Sequence, residues 1–351
     1  MTEEKPKRRF GVKRWIILAL FAVGIYAAFI GPSILKPVSP AVVMPAEHTG
    51  LHIGGFQITN TILATLLADV ILILMAIGVY RFIKRGNYVP SGFYNVFEAI
   101  FEFMWNSVEG TAGKWAKRIF AVPATIFLLI LVANMIKLVP GFESIGLIEQ
   151  SPTGKGYSPA RLLQVGSLEV YTVDKAKPVE LAATGAEASA TEGEAAATEH
   201  EALCTACEIV PFLRGSATDL NFPLALALVT VVMVQVYGVM AVGPGYFSKF
   251  LPVKKLVSGG IFGLIDFVVG ILEIVLEFAK ILSFTFRLFG NIFAGVLLLS
   301  ILGALLPVIL PPGLYIFEVF FGAIQAYVFF LLATVFISGA TAGHHAEEQH
   351  S

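Results

Sequence analysis

Charged residues are scarce in this chain of 351 residues. They make up 14% of it, whereas 56% of the residues are hydrophobic. A chain this apolar cannot bury its nonpolar surface in one soluble core, so the composition excludes an ordinary soluble domain and predicts a polytopic membrane protein. Its basic residues cluster beside apolar segments, which indicates membrane orientation and gives no sign of nucleic acid binding.

Cysteine is almost absent, and the usual motifs of enzymes are missing. Cys204 and Cys207 form one C-x-x-C pair, without the second pair or the histidines that a structural zinc site needs. In an oxidising compartment this pair would form a disulfide; two free structural thiols are the alternative. The sequence has no phosphate-binding loop, no nucleophile with a base and no metal-binding cluster. It therefore predicts a non-enzymatic chain without a cofactor.

Apolar segments with basic flanks predict about six membrane helices and place both termini in the cytoplasm. The first span, residues 15–35, follows several lysines and arginines. A cleaved signal peptide is the alternative, but an apolar run of about 20 residues favours an uncleaved anchor. An amphipathic helix at residues 88–108 is expected to lie in the membrane interface. The other spans are predicted at residues 61–83, 120–139, 220–242, 261–310 and 318–338.

Composition divides the chain into five predicted regions. A basic N-terminus, the first span and an outer loop come first, followed by the second span, interfacial helix and third span. An extracytoplasmic loop with the C-x-x-C pair precedes the fourth span with two long helices, and a cytoplasmic tail ends the chain. The boundaries are 1–59, 60–139, 140–219, 220–338 and 339–351.

The extracytoplasmic loop contains two different patterns. Alternation in SLEVYTVD, residues 167–174, predicts a short strand of a hairpin. Residues 179–202 hold six glutamates and no lysine or arginine, which predicts a disordered or loosely helical segment.

Arg287 is the only charged residue between Ile281 and Phe317. An arginine at the membrane centre costs roughly 2.5 to 3.5 kcal/mol, so it must reach the headgroups, find a partner or line a wet path. If residues 262–306 form one helix, its length is about 67 Å, more than twice the hydrocarbon thickness. Such a helix must be strongly tilted or broken.

Polar residues share one face of this long helix at i+3 or i+4 spacing. They are Glu273, Glu277, Lys280, Arg287 and Asn291, with Phe284 as the apolar member. Pairing of Glu277 with Lys280 would explain part of the pattern. The last helix carries Glu318 and Gln325 two turns apart on one face. Antiparallel packing of the two helices would direct this carboxylate and amide toward the arginine and asparagine.

Further polar residues within or directly beside the predicted spans are candidates for lining a channel. For Asp69, an ion path and a hydrogen bond at a helix interface are equal alternatives. The candidates are Asp69, Asn134, Asp219, Glu277, Lys280 and Ser283.

Several ordered motifs stand out along the chain. The most distinctive is SFTFRLFGNIFAG, which contains Arg287 and Asn291, followed by IQAYVF with Gln325. DLNFPLALAL, VPATIFLLILVANMIKLVP and VPSGFYNVFEAI precede them and extend the pattern over most of the chain. Together these motifs resemble subunit a of F-type ATP synthases, the membrane stator beside the rotating ring of c subunits. The resemblance implies a bacterial plasma membrane protein that conducts protons, with c-ring subunits, peripheral-stalk b subunits and lipid as partners.

The resemblance also implies roles for individual residues. Arg287 would face the ring carboxylate that carries the ion, and Asn291, Gln325 and Glu273 would take part in translocation. Where many relatives carry a glutamate nine residues after the arginine, this sequence has Val296, and where some carry a histidine seven residues before the glutamine, it has Glu318. We infer that the half-channel carboxylate has moved to the facing helix, at Glu318.

Two other interpretations compete with the stator. A secondary transporter would use Arg287 and Glu318 to bind an anionic or proton-coupled substrate, but such folds usually contain repeats and the RLFGN region has none in the first half. A scaffold would use its buried charges only to fix helix packing. Neutral substitutions at Arg287 would then reduce assembly and leave transport per assembled complex intact.

Overall fold

Eight α-helices make up most of the part of the chain that the computed structural model describes. They are α1 Val12–Phe29, α2 Asn60–Lys84, α3 Phe93–Ala112, α4 Ala116–Ile119, α5 Ala121–Ile136, α6 Asn221–Val242, α7 Gly260–Leu305 and α8 Leu310–Ala342. The described residues are 12–29, 46–53, 55–85, 92–139, 141–143, 145–151, 155–165, 168–180, 204, 206–250, 260–305 and 310–342. They form two compact units, and all candidate site residues belong to the unit that includes Met44–Val139, Arg214–Ala294 and Glu318–Ser351.

The described helices confirm the predicted all-α polytopic membrane fold. Helices α2, α6 and α8 are long and apolar enough to cross a membrane, and the bent pair of helices at Tyr94–Ile119 and Ala121–Ile136 would provide a fourth span. Helix α1 is a shorter apolar helix, and the rest of the predicted first span lies outside the described residues. The count of six spans therefore stays a prediction.

Helix α3 has the amphipathic character expected of an interfacial helix. Its Met104 and Val108 are completely buried, whereas Glu98, Glu102 and Glu109 on the opposite side are exposed. The axes of the two helices in the bent pair differ by 97°. A helix in the membrane plane must turn by about a right angle to enter a span, so this bend fits the predicted arrangement.

Helices α7 and α8 form the predicted antiparallel hairpin. Helix α7 is one unbroken helix of 46 residues. It runs antiparallel to α8, because residues later in α7 contact residues earlier in α8. Phe284 packs against Phe329 with ring centroids 4.6 Å apart, and the Lys280 ammonium lies 5.2 Å from the ring centroid of Phe336. Phe284 is therefore a core residue that anchors the polar face of α7 against α8.

The end of α6 positions a tyrosine and a lysine beside the bundle. Gly243 ends the helix with a φ of 80°, a left-handed conformation that glycine adopts without strain, and the turn segment Pro244–Lys249 follows. The ring of Tyr246, which is 6% exposed, lies directly on Gly238, where an added Cβ would overlap it. The hydroxyl of Tyr246 accepts a hydrogen bond of 2.8 Å from Lys249.

Gly238→Ala should destabilise the chain by about 1 to 3 kcal/mol, because the new methyl group forces the Tyr246 ring away. We expect a lower midpoint of thermal aggregation for the purified complex and less of the chain in membranes. Gly339→Ala is the matched control, since outside the helix's own backbone no atom of the described residues lies within 4 Å of the Cβ that it adds. Equal stability of the two variants would contradict the close contact.

The loop between α5 and α6 contains a four-stranded antiparallel sheet. Its strands are β3 Gly146–Gln150, β4 Lys155–Val165, β5 Leu168–Glu180 and β6 Cys207–Pro211, and they lie in the order β3-β6-β4-β5. A separate antiparallel pair, β1 His48–Ile53 and β2 Phe56–Thr59, precedes α2. Pairing of β4 with β5 confirms the predicted hairpin. Cys204 and Cys207 form a disulfide, which decides between the two alternatives. Beyond Glu180, the acidic segment predicted up to residue 202 lies outside the described residues.

Candidate functional site

A hydrogen bond between two side-chain amides joins α7 and α8 at the centre of the site. Asn291 Nδ2 donates to Gln325 Oε1 over 3.1 Å, and Gln325 is buried with 4% exposure. This contact confirms the prediction that the asparagine faces the amide of the last helix. Gln325 Nε2 is also buried and has no hydrogen-bond partner in the described part of the chain, so a donor remains available there.

Arg287 lies about one turn from Asn291 on the same helix and has an exposed side chain. Its Nη2 donates a weak hydrogen bond of 3.4 Å to Ser283 Oγ. The described residues provide no carboxylate for its ion pair. The guanidinium therefore lies on the surface of this chain, and most of its hydrogen-bond donors have no partner among the described residues.

Glu318 pairs with a lysine, not with the arginine that the sequence suggested. Its Oε2 lies 3.4 Å from Lys137 Nζ, and the lysine and glutamate side chains are only 5% and 11% exposed. The expectation that this carboxylate faces Arg287 was wrong because of the hairpin register. With Gln325 opposite Asn291, Glu318 lies about 10 Å further along the hairpin, whereas Arg287 lies about 6 Å in the other direction.

The contact between α5 and α8 brings this ion pair together. Asn134 is buried and donates a 3.2 Å hydrogen bond to the carbonyl of Gly322. A Cβ at Gly322 would lie 3.1 Å from the Cβ of Asn134, so glycine allows the helices to approach closely. One turn later on α5, Lys137 can then reach Glu318. Glu318 Oε1 remains buried without a hydrogen-bond partner among the described residues.

A buried carboxylate links the start of α6 to α2. Asp219 is 8% exposed. Its oxygens accept hydrogen bonds of 3.3 Å from Thr61 Oγ1 and 3.2 Å from Asn221 Nδ2. Asp69 is half-buried about two turns further along α2. Among the described residues, no hydrogen bond or ion pair joins Asp69 to the other candidates, so its two alternatives stay open.

The lower-numbered half of α7 carries a second charged cluster. Lys280 Nζ lies 2.8 Å from Glu277 Oε1, which confirms the predicted pair. Lys249 Nζ lies 3.4 Å from Glu273 Oε1 and 3.6 Å from Glu277 Oε1. It also lies 4.2 Å from the ring centroid of Tyr246, so it interacts with the aromatic face as well as with two carboxylates. The four charged groups balance one another.

Sequence reasoning missed Lys249 and Lys137 as members of the site. Lys137 lies near the end of one predicted span and Lys249 follows another, so the sequence by itself indicates only residues near a membrane end. The aromatic residues around Lys249, in GYFSKF, were a usable signal, because they favour a lysine that folds back onto rings. For Lys137 the signal was its place one turn after Asn134, which puts both side chains on the same face of α5.

These groups form a series along the hairpin. From Glu277 to Asn291 the rise along α7 is about 21 Å, and from Gln325 to Glu318 on α8 it is a further 10 Å or so. The total is close to the hydrocarbon thickness of about 30 Å. The arrangement therefore consists of a buried ion pair near one end and a partly buried charged cluster near the other, with an exposed arginine and an amide pair between them.

Comparison with known proteins gives a consistent family match. The model of the family described as ATP synthase A chain matches residues 62–338, a range that includes every candidate site residue. ATP synthase subunit a of Moorella thermoacetica is 24% identical over 303 residues, which cover 86% of this chain and 99% of the relative. The subunit a of Mycobacterium bovis is 28% identical over 309 residues, covering 87% and 94%. "ATP synthase subunit a, sodium ion specific" of Propionigenium modestum is 26% identical over 293 residues, covering 82% and 75%.

Proposed function

Because the chain belongs to the ATP synthase A chain family, we propose that it is the membrane stator subunit that conducts protons beside a ring of c subunits. It is an integral membrane component of the multisubunit ATP synthase. It takes no part in ATP chemistry itself, which belongs to other subunits. It lies in the bacterial plasma membrane with both termini in the cytoplasm, and the peripheral-stalk b subunits hold it still.

The observation that carries this proposal is the exposed guanidinium of Arg287, which lies between the buried Lys137–Glu318 pair and the partly buried charged cluster around Glu277. Arginine remains protonated in proteins, so it attracts a passing ring carboxylate without relaying a proton. At about 4 Å and an effective dielectric constant near 20, the attraction is roughly 4 kcal/mol. This is enough to keep the carboxylate ionised and little enough to release it. Protons then cannot leak directly between the two sides.

The outer half-channel runs from Asp219 past Asn134 to Glu318. Asp219 and Asn134 are buried and the Glu318 side chain is only 11% exposed. The hydrogen bonds of Asp219 join α2 to the start of α6, and that of Asn134 joins α5 to α8. Glu318 is the last carboxylate before the amide pair. Its Oε2 is held by Lys137, which leaves Oε1 available to accept a proton from the route. The carboxylate lies on α8 and not on α7, where Val296 stands.

The inner half-channel follows the polar face of α7 from Arg287 toward Glu273. Ser283 and Lys280 come next along this face, followed by Glu277. A membrane potential supplies only about 2.3 kcal/mol per charge per 100 mV, so several protons must pass through both half-channels for each ATP. Rotation of the ring adds these contributions together.

Reconstitution into liposomes distinguishes this function from a secondary transporter. The chain alone, given a pH gradient, should produce no proton flux above that of empty liposomes, because the ring carboxylates complete the path. The whole complex with this chain should acidify the vesicle interior when ATP is added outside. The same complex lacking the chain should hydrolyse ATP without acidification. Flux through the chain alone would favour the transporter, and acidification without the chain would exclude the stator role.

A further inference from the structure

A lysine at the end of a membrane helix is turned into the protein. Lys137 follows the last residue of α5, where a long basic side chain ordinarily extends toward water or lipid headgroups. Its side chain is instead only 5% exposed, and its Nζ lies 3.4 Å from Glu318 Oε2. Buried ion pairs add little net stability, because the removal of two charges from water offsets their attraction. Packing alone therefore does not account for this lysine.

The carboxylate of Glu318 offers one oxygen to a passing ion. Its Oε1 is buried and has no hydrogen-bond partner among the described residues, whereas Oε2 faces the ammonium. Two amide nitrogens lie within about two helical turns of this pair. Asn134 Nδ2 donates to the carbonyl of Gly322, and Gln325 Nε2 is buried without a partner in the described part of the chain. An ion at Glu318 therefore meets one free acceptor oxygen among donor groups.

Sodium and a proton place different demands on such a site. A hard cation exchanges its water shell for several oxygen ligands, whereas a proton needs one lone pair because it forms a covalent O–H bond. The ammonium adds a second difference. Any cation on Glu318 Oε1 shares the carboxylate with Lys137 Nζ, in a buried region where charges are screened little. Bond formation offsets this repulsion for a proton, and sodium has too few ligands to offset it.

We propose that Lys137 determines ion specificity by occupying the place of an alkali cation on Glu318, so that the outer half-channel passes protons and excludes sodium. The inference rests on the proposed function. An O–H bond forms on Glu318 Oε1 as the bond to the proton donor breaks, and release to the next acceptor reverses these changes. Lys137 keeps its own protons throughout. It is a positioning residue, because it touches the carboxylate and not the transported proton.

Liposomes that contain the purified whole complex test this specificity. Their lumen holds sodium chloride or choline chloride at equal ionic strength, because the outer half-channel opens into the lumen when ATP is added outside. Sodium should slow acidification by Lys137→Gln about threefold, the effect of sodium at twice its dissociation constant. Lys137→Arg keeps the charge and is the matched control, which should pump equally in both salts, as should the parent. Each variant is compared with itself, so losses in assembly cancel.

Thermal stability gives a second measurement that does not depend on pumping. A ligand that binds only the folded form stabilises it, so sodium should raise the midpoint of thermal aggregation of the complex with Lys137→Gln. The double variant Lys137→Gln with Glu318→Gln lacks the carboxylate and should show no such shift. Equal pumping of Lys137→Gln in the two salts, together with an unchanged midpoint, would overturn the specificity role. A shift in the double variant would also overturn it, because sodium would then bind elsewhere.

The two proposals fail in different ways. If luminal sodium slows the parent complex as much as Lys137→Gln, the specificity role is wrong and the stator role stands. If Arg287→Ala pumps normally in an assembled complex, the proposed function is wrong.

Discussion

Arg287→Ala should abolish ATP-driven acidification of inverted membrane vesicles while the complex still assembles and hydrolyses ATP. The side chain is exposed, and its described hydrogen bond is a 3.4 Å contact to Ser283. Its loss therefore removes little internal packing. It does remove the fixed charge that keeps the passing ring carboxylate ionised, an attraction of roughly 4 kcal/mol at an effective dielectric constant near 20. Acidification, hydrolysis and subunit content are measured in one preparation.

Passive conductance gives the same experiment a second readout. Without the arginine, protons on the ring can pass between the half-channels without rotation, so Arg287→Ala vesicles should dissipate a pH gradient faster than the parent. Arg287→Lys should also lose most of its pumping, because a lysine ammonium gives up its proton when desolvated and cannot form the planar fork of hydrogen bonds. Phe286→Leu is the matched control, since Phe286 is a neighbouring side chain that is 57% exposed. Normal pumping by assembled Arg287→Ala would contradict the mechanism.

Periodicity and membrane thickness account for the features that could be predicted from the sequence. The polar face from Glu273 to Asn291, the unbroken α7 and the antiparallel contact of Asn291 with Gln325 all follow from a 3.6-residue repeat on a helix too long to stand upright. Both ends of α2 were also predictable within one residue, because Thr59 caps its start and Lys84 ends it. Apart from the contact between α7 and α8, these features depend on local sequence alone.

The partners of the charged groups could not be predicted in this way. The Lys137–Glu318 pair joins helices far apart in sequence, and it depends on the close approach of α5 to α8 at Gly322. The position of Lys249 depends on the left-handed turn at Gly243, which directs the chain back onto α7. A sequence pattern determines which face of a helix is polar, whereas the packing of neighbouring helices determines which polar groups meet.

Glu318→Gln should reduce pumping by about tenfold or more, because it removes the carboxylate that passes protons from the outer path. It also leaves the ammonium of Lys137 buried and unpaired, and breaking a buried pair in this way typically costs about 3 to 5 kcal/mol. The variant should therefore show less chain in the membrane as well as less acidification per assembled complex. Glu102→Gln, at an exposed carboxylate of α3, is the control for loss of a single negative charge.

The double variant Lys137→Met with Glu318→Gln separates the two effects. Replacing both members of a buried ion pair with neutral groups is often neutral for stability, because no charge remains uncompensated. Chain abundance should then return to that of the parent, whereas acidification per complex should remain low. If acidification also returned, the pair would serve only to pack α5 against α8. Protons would then have to pass from Asp219 to the ring without Glu318, and the proposed move of the half-channel carboxylate to α8 would be wrong.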